Sequence, residues 1–348
     1  MENLIQWYNI NKRNLPWRNN PTPYNIWVSE IILQQTQMSR GVQYYNNFII
    51  AFPDVHSLAM ADEKDVLLLW QGLGYYSRAR NMLKAAKQIV QNHNGIFPHT
   101  YEALKSLQGV GDYTACAILS IAFQKSFVVV DANVLRIVSR LDAIYEPIES
   151  NSVVSVVKNR TLEMMSNFNP SDFNQGMMEL GALVCKPKNP LCNTCPLSPN
   201  CKAYSINKQE QFPIKKEKPV RKMRFFHYFI CMNNKSEFLL TQRKKDDVWK
   251  ELYEFPLIET SNNGIPKTDL IKNVLGLNLN KDISPQIIGE KKHILTHREI
   301  HAIFYVVICN NQINRRFVCV GNEERVQFPV HNLMQYGFSA LDKWMKKS

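Results

Sequence analysis

Four cysteines, Cys185, Cys192, Cys195 and Cys201, follow one another in a C-x6-C-x2-C-x5-C pattern within VCKPKNPLCNTCPLSPNC. Thiols this close call for a metal centre or disulfides. Nothing in the chain reads as secreted, which favours metal. A single tight loop of four cysteines suits a [4Fe–4S] cluster. Zinc is the alternative, although its usual signature is two short-spaced pairs set further apart. A second group of residues lies upstream. In LQGVGDYTACAI (Leu107–Ile118), Gly109 and Gly111 permit a tight turn that side chains with a Cβ would resist. The helix expected to follow would offer free N–H groups and a positive dipole end to a phosphate. Taken alone, an ordinary turn between helices accounts for G-V-G equally well. Twenty residues after Gly111, Asp131 emerges from an apolar run beside Asn133, a setting that also suits a plain helix N-cap.

These groups need a scaffold, and 348 residues suffice for two domains with two cores. The net charge of +12 and pI near 9.2 point to a polyanionic partner, nucleic acid first and an anionic membrane surface second. No apolar run approaches a membrane span, and MENLIQWYNINKR does not read as a signal peptide. A reducing compartment, the cytoplasm of a bacterium, is therefore expected. The remaining cysteines, Cys116, Cys231, Cys309 and Cys319, sit in apolar contexts as small core filler. Helical spacing recurs in IWVSEIILQQTQMSRGVQYYNNFI, EKDVLLLW, SRARNMLKAAKQIVQN and YTACAILSIAF, with breakers at Pro53, Gly72, Gly74, Gly95 to Pro98, Gly109 and Gly111. A basic, Pro-punctuated linker follows at 205–224. From 225 onward, FFHYFICMN, EFLLTQRK, LYEFPLIE and HAIFYVVICNN read as strands, with helices near Lys267–Leu275 and Ser339–Lys346.

The hairpin, the V-D-A-N-V-x-R segment and the cysteine loop, in this order, resemble the endonuclease III superfamily of DNA glycosylases. The resemblance is closest to the adenine DNA glycosylases (MutY type). It is carried by LPWR (Leu15–Arg18), WVSEIILQQTQ (Trp27–Gln37), WQGLGYYSRARN (Trp70–Asn81), GVGDYTA (Gly109–Ala115), VDANVLR (Val130–Arg136) and NQGMMELGALVC (Asn174–Cys185). It implies an all-α helix–hairpin–helix glycosylase domain over 1–204, with a [4Fe–4S] loop at 185–201. A linker over 205–224 and an α+β Nudix-like lesion-recognition domain over 225–348 complete the expected organisation. The implied partner is duplex DNA carrying adenine opposite 8-oxoguanine or guanine. The protein is expected to act as a monomer, away from membranes, with its linker lying across phosphates or against a replication clamp as a further reading.

Adenine is a poor leaving group as an anion, and the sugar left behind resembles an oxocarbenium ion. A pair of carboxyl groups meets both needs. Glu30 lies among Val28, Ile31, Ile32 and Leu33, surroundings that keep a carboxyl protonated to higher pH. The resemblance makes Glu30 the general acid at adenine N7. Asp131 would stay ionised facing C1′, as electrostatic stabiliser or transient nucleophile, with Asn133 orienting it and Tyr113 lining the reacting site. Bifunctional relatives carry a lysine where Tyr113 stands, so a monofunctional glycosylase is expected. An extruded adenine would meet Glu179, Arg13, Trp17 and Arg18. Gln35 and Thr36 would contact the opposing base, Leu73 and Tyr75 would enter the stack as a wedge, and Gly109 and Gly111 would face phosphate.

In the second domain, HILTHREIHAIFYV (His293–Val306) carries Leu295-Thr296-His297 where many relatives have Phe-Ser-His, the turn that reads 8-oxoguanine. Thr296 keeps a hydroxyl, and His297 is retained. WKELYEFP (Trp249–Pro256) reads as structural. No Nudix glutamate motif appears, so this domain is expected to recognise and not to hydrolyse. Competing readings are an endonuclease III-like lyase, a Nudix hydrolase and a non-catalytic DNA-binding scaffold. The absent lysine, the absent glutamates and the retained Glu30 and Asp131 weigh against each in turn.

Overall fold

The computed structural model describes residues 1–216, 220–233, 235–244, 247–276, 284–308, 318–321 and 323–346. The sequence NIWVSEIIL leaves its helix no solvated face, since a helix that is apolar all round must be buried. The helix runs Pro23–Leu33 and buries Tyr24, Ile26, Trp27, Val28, Ser29, Glu30, Ile31 and Ile32. Pro23 opens it, and Thr22 caps it by accepting a hydrogen bond from the Asn25 N–H. The helical periodicity that runs on to Phe48 is broken, without Gly or Pro, at Gln34–Gln37, and a second helix spans Met38–Ala51. Gln35 takes a left-handed backbone there, with φ +59°. Helices also span Glu2–Asn11, Ser77–His93, Tyr101–Lys105, Asp112–Ala117, Ala132–Asp142, Asn151–Met165 and Pro170–Leu183. A π-helical turn at Ile118–Ala122 continues the hairpin's second helix.

The hairpin joins Tyr101–Lys105 to Asp112–Ala117. Gly109 has φ +79°, and a Cβ there would lie 2.6 Å from Asn81 Cβ, so glycine is required. Gly111 corrects the expectation. Its φ is −88°, and a Cβ would meet nothing within 4 Å, so the turn itself does not demand glycine there. One core of this unit gathers Leu4, Ile137, Val157, Phe173, Met177 and Leu180 from four helices, with Cys185, Cys195 and Cys201 packed against it.

Among the described residues, the C-terminal half forms seven strands: β1 (Lys222–Met232), β2 (Phe238–Gln242), β3 (Tyr253–Glu254), β4 (Leu257–Thr260), β5 (Gln286–Ile294), β6 (Arg298–Ile308) and β7 (Val318–Val320). The order is β3-β2-β1-β6-β5, with β4 on β1 and β7 on β2. β1 and β6 pair in parallel over their whole length, which explains their nearly continuous apolar sequences. One face of the sheet, with Phe226, Tyr228, Phe304 and Val306, packs against Leu333, Phe338 and Leu341 of the Asn332–Met345 helix. Phe229, Tyr305 and Val307 on the other face pack with Ile271 and Leu275 of the Thr268–Leu275 helix. The last helix thus starts seven residues before the expected Ser339. Cys116 is a buried free thiol, Cys231 is in a disulfide and not a free filler, and Cys309 lies outside the described residues.

The chain divides into two compact units. Met1–Ala61 with Asn81–Glu217 forms the first, and Asp62–Arg80 with Lys218–Ser348 the second. The segment 62–80, assigned from sequence to the first domain, thus groups with the second unit. Tyr76 Oη donates to the Val330 carbonyl at 2.9 Å, and Arg80 Nη1 to the Lys250 carbonyl at 3.0 Å.

Candidate active site

Burial of a whole helix brings Glu30 into the first unit's interior, where it is 5% exposed. Tyr113, on the second helix of the hairpin, donates its hydroxyl to Glu30 Oε2 at 2.5 Å. Burial pushes the Glu30 carboxyl up to about 7 from its ordinary 4.5, against the lowering effect of that hydrogen bond. The charge of Asp131 adds to the rise, and that of Arg18 opposes it. The same burial, with the charges of Glu30 and Asp131, keeps the Tyr113 phenol protonated far above its ordinary range. A carboxyl so placed keeps its proton up to near-neutral pH.

Asp131 is the N-cap of the Ala132–Asp142 helix. Its Oδ1 accepts from the Val134 N–H at 2.8 Å, and its Oδ2 from Asn133 Nδ2 at 2.7 Å. Burial raises its carboxyl, and these two hydrogen bonds oppose the rise. Asn133 is held in turn, its Oδ1 accepting from Arg136 Nη2 at 2.7 Å. Arg136 also donates to the carbonyls of Gly181, at 2.9 Å, and Cys185, at 2.8 Å. Gly181 makes this packing possible, because a Cβ there would fall 2.4 Å from Asn133 Cβ. Arg136 and Gly181 were not singled out from sequence. Both lie inside quoted motifs, and Arg136 stands one helical turn beyond Asn133, the spacing at which helix side chains meet.

Glu179, 1% exposed, takes a fork from Arg13 and a third bond from Arg18. The distances are 2.7 Å from Arg13 Nε to Oε1, 3.0 Å from Arg13 Nη2 to Oε2, and 2.8 Å from Arg18 Nη2 to Oε2. Burial alone would raise this carboxyl, but the arginine hydrogen bonds outweigh it and hold it at about 2. Two buried carboxyls in one unit are thus driven in opposite directions, one toward the protonated form and one toward the ionised form. Arg13, Trp17, Arg18, Glu30, Asn133 and Glu179 all line one cavity of about 90 Å³. Trp17 also packs edge-on against Tyr45, at 5.0 Å, so its packing and site readings hold together. Gln175, absent from the expected set, borders the cavity and accepts from Arg18 Nε at 2.9 Å.

The four thiols of Cys185, Cys192, Cys195 and Cys201 line a single small cavity with Arg140. Arg140 Nη1 donates to Cys185 Sγ at 3.2 Å and to the Lys186 carbonyl at 2.8 Å, and its Nε donates to the Phe212 carbonyl at 3.1 Å. Burial pushes the Cys195 thiol up to about 11, and the neighbouring sulfurs add to the rise. Among the described residues, no group of three or more His, Cys, Asp or Glu converges on a single ion.

Gln35 and Thr36 lie in the first unit, at the turn after the Pro23–Leu33 helix. Leu73, Tyr75, Thr296 and His297 lie in the second. Leu295-Thr296-His297 forms the turn between β5 and β6, where the Leu295 N–H donates to the Arg298 carbonyl at 2.9 Å. Tyr75, with φ +48°, is 54% exposed, and its hydroxyl meets Thr296 Oγ1 at 3.1 Å.

Residues 28–174 match the HhH-GPD superfamily of base excision DNA repair proteins, and 227–347 match the NUDIX domain. The chain is 33% identical over 333 residues to the adenine DNA glycosylase of Buchnera aphidicola subsp. Baizongia pistaciae, covering 95% of this chain and 91% of that protein. It is 44% identical over 211 residues to the adenine DNA glycosylase of Mus musculus, covering 58% of this chain and 41% of that protein. Its helical part superposes on a solved thermostable thymine-DNA glycosylase with a TM-score of 0.54 at 25% identity, covering 59% of this chain and 94% of that one. With a third of its residues shared over nearly its whole length, the chain belongs to the adenine DNA glycosylases, DNA N-glycosylases of the HhH-GPD superfamily.

Proposed function

We propose that the protein removes undamaged adenine opposite 8-oxoguanine or guanine in duplex DNA, and that Glu30 and Asp131 perform the chemistry. The observation that carries this reading is the buried Glu30 carboxyl, hydrogen-bonded to Tyr113 and raised to about 7, on the same cavity as Asn133 and Glu179. Glu30 gives its proton to adenine N7 as the C1′–N9 bond breaks, and the bonding electrons leave with a neutral base. The positive charge developing on the sugar is met by Asp131, whose two oxygens are already fixed by Val134 and Asn133. Water then adds to C1′, and its proton returns to a carboxylate. The ionised Glu179, with Arg13 and Arg18, supplies charged hydrogen-bonding groups to an extruded adenine. Tyr113 has no amine to form a Schiff base, so the strand stays intact.

Gln35, Thr36, Leu73 and Tyr75 serve the gap and the opposing base, Thr296 and His297 read the lesion, and the Gly109–Gly111 turn faces phosphate. Cys185, Cys192, Cys195 and Cys201 would hold a [4Fe–4S] cluster. Four thiols from one tight loop that line a single cavity are a donor set that suits such a cluster. The cluster would act structurally, pinning the 185–201 loop beside Arg140.

The test is a single-turnover assay on duplexes bearing A opposite 8-oxoguanine, G, C or T, read with and without alkali. Adenine release from the first two, with strand scission only after alkali, is the expected result. Release independent of the opposing base, or scission without alkali, refutes the assignment.

A further inference from the structure

Two cavities of the first unit share a wall. The inner one, of about 90 Å³, is bordered by Glu30, Asn133 and Glu179. The outer one, of about 400 Å³, lies among Tyr8, Lys12, Asn14, Asn19, Ser171 and Asp172, a volume in the range of small-molecule sites. Arg13, Arg18 and Gln175 border both. Lys12, Asn14 and Asn19 are exposed, so the outer cavity opens to solvent.

The shared wall is built from long, rotamer-rich side chains that hold one another. Arg18 Nε donates to Gln175 Oε1 at 2.9 Å, and Arg18 Nη1 to the Arg13 carbonyl at 2.9 Å. Both guanidinium groups close on Glu179 from this side. Each has somewhere to go on the outer side. The Arg13 side chain is already 31% exposed. The Arg18 guanidinium stands 5.6 Å from the ring centroid of Tyr8, which borders only the outer cavity, so the ring face offers a swung-out cation a resting place. Glu179 is not stranded by such a movement. Its Oε1 keeps the Arg13 backbone N–H, at 2.9 Å, and the amino group of an adenine can donate to the oxygens that the arginines leave.

A base cut from its sugar has a problem of exit. The way in is filled by the sugar it was attached to, and stays filled while the abasic strand remains bound. A wall of movable side chains backed by a solvent-filled cavity removes that obstacle. We propose that the outer cavity is a second purine site, the seat and exit of the freed adenine base, with Arg13, Arg18 and Gln175 as its gate. The proposal rests on the reading of this protein as an adenine-removing enzyme and extends it past bond cleavage. Protonated at N7 as its bond to C1′ breaks, the neutral base carries a ring N–H that the nucleoside lacked. Ser171 and Asp172, which border the outer cavity and not the inner, offer acceptors to it. Base departure then no longer waits for the duplex to dissociate, the kind of step that often limits turnover.

The test uses a duplex with radiolabelled target adenine opposite 8-oxoguanine and enzyme in excess. One half of each sample is quenched, which reads cleavage of the glycosidic bond. The other half passes rapidly through a size-exclusion column, which reads the label still held by the enzyme–DNA complex. Asn14→Trp and Asn19→Trp each place an indole on the exposed rim of the outer cavity, and Asn14→Ala controls for loss of the amide. In the parent and Asn14→Ala, cleaved label is expected to leave while the abasic duplex is still bound. In the two Trp variants it is expected to stay until the duplex leaves. The delay is measured against cleavage in the same sample, so a change in cleavage rate does not imitate it. A parent that gives up its label only together with the duplex overturns the proposal. So do Trp variants that both show no longer delay than the parent. No cleavage by the parent at all brings down the functional reading beneath the proposal, and the proposal with it.

Discussion

Replacing Glu30 with Gln separates the energetic cost of the buried carboxyl from its catalytic use. Glutamine has the same shape and can still accept from the Tyr113 hydroxyl, so the change removes the titration and little else. Because burial raises the Glu30 carboxyl, the group fits the fold when protonated and opposes it when ionised. The sign follows. Below the ordinary carboxylate value both states of the chain hold the proton, and parent and variant should be equally stable. As pH rises through about 7, the folded parent must either keep a proton that the unfolded chain has lost or bury a charge. The gap between 4.5 and about 7, at about 1.4 kcal/mol per pH unit, makes Glu30→Gln more stable by about 3 kcal/mol above pH 7.5. Denaturant unfolding of parent and variant at pH 4.5, 6 and 8.5 measures this directly. Adenine release at pH 6 should meanwhile fall by about 10²- to 10⁴-fold, the usual worth of a positioned acid, while duplex affinity is kept. A variant no more stable at pH 8.5 than at pH 4.5, relative to the parent, refutes the burial reasoning. Near-normal turnover refutes the proton-donor role.

Tyr113→Phe removes the hydrogen bond that lowers the Glu30 carboxyl, so the alkaline limb of the pH–rate profile should move to higher pH; a limb that stays or falls contradicts the assignment. Gly181→Ala forces a methyl group against Asn133 and should cost about 1–3 kcal/mol of stability, as overpacking does. It should also slow adenine release in single-turnover assays while its duplex affinity is kept, because Asn133 would lose its grip on Asp131; unchanged release contradicts that role. Iron analysis should return about four irons per chain with a brown colour; stoichiometric zinc would reverse the cofactor assignment.

Elements with one strong periodicity were legible in the sequence. The predominantly apolar Pro23–Leu33 helix and the continuous runs of β1 and β6 announce burial, and both are largely buried. What periodicity hides is a break made without Gly or Pro. The stop at Gln34–Gln37 needs a left-handed Gln35, which no local propensity favours, and only the surrounding structure imposes it. The grouping of 62–80 with the second unit was equally hidden, because the contacts of Tyr76 and Arg80 fall on Val330 and Lys250, distant in the chain. Gly111 shows the opposite error, in which a glycine in a familiar motif was given a conformational reason that its φ of −88° does not support.

Within the proposed site, the resemblance named several residues that the structure brings to one cavity, but not the way they hold one another. The resemblance names Glu179 among the pocket groups, yet only geometry reveals the double arginine grip that sets its charge. Asp131 is the instructive case. From sequence, an N-cap and a catalytic carboxylate look like rival explanations. In the structure one oxygen caps the helix through Val134 and the other is held by Asn133. The cap removes the carboxylate's rotational freedom, and the helix N-terminus offers positive potential where a buried negative charge most needs it. Capping would thus orient the group before substrate arrives, so on the proposed reading the structural role of Asp131 is a precondition of its chemistry.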